Sequence, residues 1–268
     1  MTNKLNSRPI GIFDSGVGGL TVARQIFEAL PNEEIVYLGD SLRAPYGDRP
    51  PDVLAAFSRE IIDFLLKHSI KALVVACGTI SAKIFDQVQQ MCDLPVQGMV
   101  PPGVKAALAA TKTGRIGVVA TAGTVASQAH KAAIHALRPD ASVVAVACPL
   151  FVPLAEEGWL DNPVAEMTAQ IYMSAFKNSG IDTLLLGCTH YPLLISSIKK
   201  ALPGDVAIID PAATLAQNLK KTLESNGLLK TDQAAPSHRF YITAGKEKFD
   251  KISRLALGRK FEASVVKL

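Results

Sequence analysis

Cys77 and Cys188 stand in matching surroundings. The first closes the run Val74-Val75-Ala76-Cys77-Gly78-Thr79, and the second closes Leu185-Leu186-Gly187-Cys188-Thr189-His190. Each thiol follows an apolar stretch of strand type and precedes a hydroxyl residue and then a helical pattern, and the two lie 111 residues apart. A single free cysteine is more often a small buried apolar residue than a catalyst, and Cys92 and Cys148 are read that way. Two in equivalent settings read as a pair of acid/base groups aimed at one substrate from opposite sides. The start of a helix after each cysteine offers free backbone N–H groups and a positive dipole end. That setting lowers a thiol pKa from roughly 8.5 and binds a carboxylate through the same N–H groups.

Other candidates cluster near strand ends. Asp14 ends the first apolar run and is followed by Ser15-Gly16-Val17-Gly18-Gly19, whose glycines permit a tight turn and close backbone approach. The carboxylate reads as a site residue, with a helix N-cap as the alternative. The segment from Tyr37 through Asp40 to Pro45-Tyr46-Gly47 reads as a second strand running into an ordered loop, with Tyr46 available as a hydroxyl donor. His190, two residues after Cys188, is set to help ionise that thiol or to touch the substrate. The Asp14 turn also invites a dinucleotide reading, with Asp40 as the acidic residue. However, Gly16-Val17-Gly18-Gly19-Leu20-Thr21 lacks the third glycine or alanine of that fingerprint.

The elements that must position these groups alternate along the chain. Strand candidates are 10–13, 35–38, 72–76, 96–100, 116–120, 142–147, 183–186, 206–209 and 240–243, separated by amphipathic stretches. In the stretch 52–68, Ala56, Ile61, Phe64 and Leu65 share a face at helical spacing. Alternating βα units with Val/Ile/Leu-rich strands predict parallel sheets covered on both faces. The chain also echoes itself. Ile-Gly-Ile-Phe-Asp-Ser-Gly at Ile10 answers Ile-Gly-Val-Val-Ala-Thr-Ala-Gly at Ile116, and Val96–Pro101 answers Val206–Pro211 at a similar displacement. The fold class expected is α/β, with two pseudo-symmetric parallel-sheet α/β domains facing a shared cleft. Residues 1–98 and 208–268 form the first domain and 99–207 the second. Ligands of such sheets bind outside the carboxyl ends of the strands, which puts both cysteines on the walls of one cleft.

Composition excludes several classes. Of the 268 residues, 49% are hydrophobic, which rules out disorder. The net charge of +4 comes from scattered lysines and arginines, not the concentrated stripe that nucleic acid needs. The most apolar window, 141–155, is too short to span a bilayer and carries Pro149 and Pro153. Residues 1–9 have no apolar leader core. The expectation is a soluble, cytoplasmic protein with no membrane contact. Four cysteines in a chain of this size are no disulfide framework, and neither a C-x-x-C pair nor a ligand-like histidine spacing points to a metal.

These segments, in this order, resemble the glutamate racemases of the aspartate/glutamate racemase superfamily. The matching stretches are Phe13 to Thr21, Gly39-Asp40 through Gly47, Ala76 to Thr79, Phe151-Val152-Pro153-Leu154 with Glu156, and Gly187 to Pro192. The resemblance implies interconversion of L- and D-glutamate for peptidoglycan without pyridoxal phosphate, metal or nucleotide, so no cofactor is expected. It implies that Cys77 and Cys188 are the two bases, Asp14 assisting the first and His190 with Glu156 the second. Asp14, Ser15, Pro45, Tyr46, Gly47, Cys77, Gly78, Thr79, Thr121, Thr189 and His190 would then line the amino-acid site. A homodimer is compatible with the family's behaviour. One departure stands out: the family has asparagine where this chain has Gly78, which removes an amide partner. A hydrogen bond to a charged group is worth roughly 1.5–3 kcal/mol. Racemisation of aspartate or another amino acid is the runner-up. A single-cysteine decarboxylase and a non-catalytic amino-acid-binding protein are further alternatives.

Overall fold

The computed structural model describes residues 5–232 and 235–268. The stretch read for a leader begins with residues 1–4, which lie outside the described residues.

Along the chain the elements are β1 (Ile10–Asp14), α1 (Leu20–Ala29), β2 (Ile35–Gly39), α2 (Pro51–Leu66), β3 (Ala72–Val75), α3 (Gly78–Lys83), α4 (Phe85–Gln89) and β4 (Val96–Gly98). Then follow α5 (Val100–Ala110), β5 (Arg115–Ala120), α6 (Ala122–Ala126), α7 (Ala129–Leu137), β6 (Ser142–Ala147), α8 (Phe151–Glu156), α9 (Pro163–Met173) and β7 (Thr183–Leu186). The last are a 3-10 turn at Tyr191–Leu194, α10 (Ile195–Ala201), β8 (Ala207–Ile209), α11 (Pro211–Ser225), β9 (Arg239–Ile242), α12 (Lys246–Leu257) and β10 (Ala263–Val265).

Two sheets result, of six strands in the order β10-β9-β2-β1-β3-β4 and of four in the order β6-β5-β7-β8, every pairing parallel. Both faces of each sheet are covered, which is why the central strands are continuous apolar runs. Ile10, Ile12 and Val74 point to α1, α11 and α12, where they meet Leu20, Ile26, Leu219 and Phe249. Phe13, Leu38 and Val75 point the other way, to Leu54, Ile61 and Leu65 of α2 and to Ile80 of α3. The second sheet repeats the layering, with Leu184 and Leu186 on Phe151 and Met173, and Val118 and Leu185 on Val104 and Ile134.

The inner strands β2-β1-β3-β4 correspond in order and direction to β6-β5-β7-β8. Each cysteine sits two residues beyond the equivalent strand, Cys77 after β3 and Cys188 after β7. Four details differ from the sequence reading. The strand expected over 96–100 stops at Gly98, because Pro101 and Pro102 suit the first turn of α5. β8 hydrogen-bonds to β7 and runs to Ile209, so the second sheet extends past the expected division at 207/208. Ala56 is exposed, whereas Ile61 and Leu65 are buried as expected, with Leu54, Ser58 and Ile62 beside them. β10, three residues with only Ala263 buried, gave no apolar run to find. Among the described residues, no helix is long and apolar enough to cross a membrane.

Helix α11 packs on α1 of the first half and on α5 of the second, and its Leu219 is fully buried. Leu219→Ala should lower unfolding free energy by about 2–5 kcal/mol through lost burial and a residual cavity. Urea denaturation followed by circular dichroism measures it.

Candidate active site between the two sheets

The carboxyl ends of the two sheets meet. From the first half, Ser15, Gly16, Pro45, Tyr46 and Gly47 line a compact cavity together with Cys77, Gly78 and Thr79. From the second half come Thr121, Val152, Glu156, Cys188, Thr189 and His190. Every candidate from the sequence except Asp14 is therefore on this wall. Asp14 lies behind it, fully buried, with Oδ2 accepting from Gly16 N at 3.1 Å and Gly19 N at 3.0 Å. Its other oxygen, Oδ1, is buried without a hydrogen-bond partner. A wider vestibule of ≈ 450 Å³ shares Gly16, Ala44, Pro45, Val152 and Glu156 with the cavity and adds Ser41 and Lys248.

Contact across the seam is backbone-close. A Cβ on Gly78 would stand 2.3 Å from the Gly187 carbonyl oxygen and 3.6 Å from Cys188 Cα. A side chain at 78 would require the turn that carries Cys188 to shift, so in this chain glycine lets the two cysteine turns sit this close. Gly18 serves the imidazole in the same way: a Cβ there would lie 2.5 Å from His190 Nδ1. Polar groups on the seam find partners across it, as buried groups must. Thr21 Oγ1 donates to Thr189 O at 2.9 Å, and Thr79 Oγ1 and Thr121 Oγ1 are 3.1 Å apart.

The two thiols have opposite neighbours. Cys77 is 4% exposed and caps α3, as the sequence predicts. Burial nevertheless pushes its pKa up to about 12, with the Asp14 charge adding to the rise; the Ile80 N–H and the Ser15 hydroxyl pull the other way. The helix start is thus outweighed by burial. After Cys188 the chain enters the 3-10 turn at Tyr191 before α10 begins. Here the neighbour is an imidazole, with Cys188 Sγ 3.8 Å from His190 Nδ1, and His190 Nε2 3.2 Å from Glu156 Oε1. Burial works against the His190 charge, but the sulfur and Glu156 overcome it and lift its pKa to about 10. Burial likewise pushes Glu156 up, and His190 with Lys248 brings it down to about 2. Burial raises the Asp14 pKa, against the pull of His190 and the backbone N–H groups.

Tyr46 does not offer its hydroxyl to the cavity. It donates to Asp40, which also accepts from Thr243 Oγ1 at 2.8 Å and from Arg43 Nε at 2.5 Å. Asp40 is fully buried in this network and holds the loop that carries Pro45 to Gly47, a structural task unlike the ribose contact of a dinucleotide fold. Lys248, whose Nζ donates to Glu156 Oε2 at 2.8 Å, escaped the sequence reading because it looks like any solvent-facing lysine of an amphipathic helix. Among the described residues, no three or more His, Cys, Asp or Glu side chains are grouped to hold a metal ion.

Residues 10–219 match the Asp/Glu/Hydantoin racemase family. Over 253 residues, 94% of both chains, the sequence is 44% identical to a glutamate racemase of Geobacter metallireducens. It is 45% identical to one from Neisseria meningitidis serogroup A, covering 98% of this chain and 97% of that one. The fold superposes with a TM-score of 0.92, at 37% identity and 98% coverage of both chains, on a glutamate racemase from Francisella tularensis crystallised with D-glutamate.

Two outcomes follow from the geometry. Gly78→Ala should lower stability by about 1–3 kcal/mol through overpacking against backbone, and a crystal structure should show the Gly187–Cys188 turn displaced; unchanged stability would argue against the close seam. His190 has a folded pKa above its ordinary 6.5, so its contribution is complete below that pH and disappears as pH rises towards about 10. Glu156, depressed from 4.5, contributes above that pH and loses its effect as pH falls towards about 2. Urea denaturation across pH should therefore find the gap between wild type and His190→Gln widest from 4.5 to 6.5, narrowing on both sides.

Proposed function

The chain is a racemase belonging to the Asp/Glu/Hydantoin racemase family, and from that premise we propose that it interconverts L- and D-glutamate by transferring protons between two cysteines. The observation that carries this reading is the pair of thiols, one beyond each of two equivalent strands, on the wall of one cavity. Relatives at 44–45% identity over nearly the whole chain supply the substrate.

Racemisation breaks the Cα–H bond on one face and makes it on the other. One sulfur, as thiolate, takes the α-proton; the electron pair stays on Cα. The opposite cysteine, as thiol, gives its proton to the other face, and the sulfurs exchange protonation states. In the reverse direction their roles swap. A carbanion next to a carboxylate needs nearby donors. The backbone N–H groups at the start of α3 and the hydroxyls of Ser15, Thr79, Thr121 and Thr189 suit the two substrate carboxylates. Behind Cys77, the Asp14 carboxylate, held by the N–H groups of Gly16 and Gly19, adds its charge to the rise in that thiol's pKa. On the second wall, the His190 imidazolium, held by Glu156, stabilises negative charge on Cys188 sulfur as it develops.

Gly78 removes the amide that the family brings to this position, leaving its backbone N–H and the Thr79 hydroxyl on that wall. We assign the reaction to the cytoplasm, in keeping with four free cysteines, and its product to peptidoglycan synthesis.

In deuterated water, each glutamate enantiomer should give a product deuterated at Cα while the remaining substrate keeps its protium early in the reaction. Cys77→Ala and Cys188→Ala should each reduce turnover by about 10²–10⁴-fold, the range supplied by a positioned proton-transfer group. Mass spectrometry and circular dichroism read both effects. Product retaining the original hydrogen would mean that one group serves both faces.

A further inference from the structure

Glu156 touches more than His190. Lys248 lies on α12, part of the C-terminal segment that packs on the first sheet, whereas Glu156 ends α8 over the second. Its ammonium bonds one carboxylate oxygen at 2.8 Å while His190 meets the other at 3.2 Å. One turn along α12, Lys251 donates to the Glu157 carbonyl. Two lysines from one half thus engage the end of a helix in the other, where the helix dipole favours cations. Lys248 also lines the vestibule, so the ion pair spans the seam at the mouth of the site.

We propose that Lys248 is a positioning residue for the Cys188 side of the reaction, fixing the Glu156 carboxylate against His190 and coupling that arrangement to closure of the two halves. The inference rests on Cys188 being one of the two bases. The geometry behind it is a continuous line of contacts: Lys248 Nζ to Glu156, Glu156 to His190, and His190 to Cys188 Sγ. A carboxylate has free torsions of its own; held only by the imidazole it can swing into the vestibule, and held at both oxygens it cannot. Because the second hold comes from the opposite half, it is complete only when the cleft is shut. An open cleft then has a loosely held imidazole, and a closed one has it fixed beside the thiol.

The charged and titratable groups around the Glu156 carboxylate are His190 from the turn after β7, Lys248 and Lys251 from α12, and neighbouring Glu157. Cys188, and Asp14 from the end of β1, act on His190 in turn. Lys248 helps to keep Glu156 ionised, so its removal makes the carboxylate easier to protonate. The direction of the effect on the pH profile is therefore fixed: the acid limb moves to higher pH.

The test compares wild type with Lys248→Met, Lys248→Arg and Lys251→Met, measuring glutamate racemisation by circular dichroism from pH 3, between the Glu156 value of about 2 and its ordinary 4.5, up to pH 10. Lys248→Met should lower kcat by up to about fivefold, the most that a partly exposed ion pair supplies, and shift the acid limb upward. Lys248→Arg should restore both, and Lys251→Met, which leaves Glu156 untouched, should leave the limb in place. Lys248→Met superimposing on wild type at every pH, Arg failing to restore, or Lys251→Met shifting the limb equally would each overturn the proposal. The wild-type deuterium experiment decides separately whether the two-thiol reading stands, so the two failures are told apart.

Discussion

In this chain both thiols line one cavity because the turns that carry them approach backbone to backbone. That constraint governs the rest of this structure. At the seam, backbone meets backbone: a Cβ on Gly78 would lie 2.3 Å from Gly187 O. The parallel sheets make this approach feasible because each presents its carboxyl edge, where the chain leaves a strand and turns, rather than a flank of side chains. The hydroxyls of Thr21, Thr79 and Thr121 then satisfy polar groups that closure takes out of water. Thr79 and Thr121 are linkers between the halves as well as candidate substrate contacts.

The backbone symmetry is not matched by chemical symmetry. Beside Cys77 stands a buried carboxylate whose charge adds to the rise that burial imposes on the thiol's pKa. Beside Cys188 stands an imidazole whose cation is sustained by Glu156. In the proposed reaction, which runs from either enantiomer, the two thiols exchange roles even though their fixed surroundings carry opposite charge.

Much of this was legible in the residues. Strands β1, β3, β5 and β7 announce themselves because burial on both faces demands unbroken apolar runs, and the cysteines announce themselves by where those runs stop. The echo between Val96–Pro101 and Val206–Pro211 is the equivalence of β4 and β8 at the same edge of each sheet. Other features lie beyond a one-dimensional reading. The rise in the Cys77 pKa depends on how deeply the closed halves bury it, and local spacing speaks only of a helix start. Tyr46 reads as a free hydroxyl until Asp40, six residues earlier, is seen to accept from it. β10 has one buried side chain and pairs through backbone alone, so no hydrophobic pattern marks it.

The difference between six strands and four has a chemical consequence as well as a structural one. β9, β10 and α12 have no counterpart on the second sheet; they extend the first beyond β2. Packed there through Phe249 and Ile252, α12 brings its outer face over the end of α8. The ion pair it forms is partly open to solvent, Lys248 being 42% and Glu156 16% exposed by side chain. Pairs of that kind add little to stability, so the value of this one lies in orientation. Being at the rim, it is also the kind of contact that breaks first when the halves part. The segment that disturbs the twofold pattern therefore sets a charge on the carboxylate that holds the imidazole beside Cys188, and has no such contact beside Cys77.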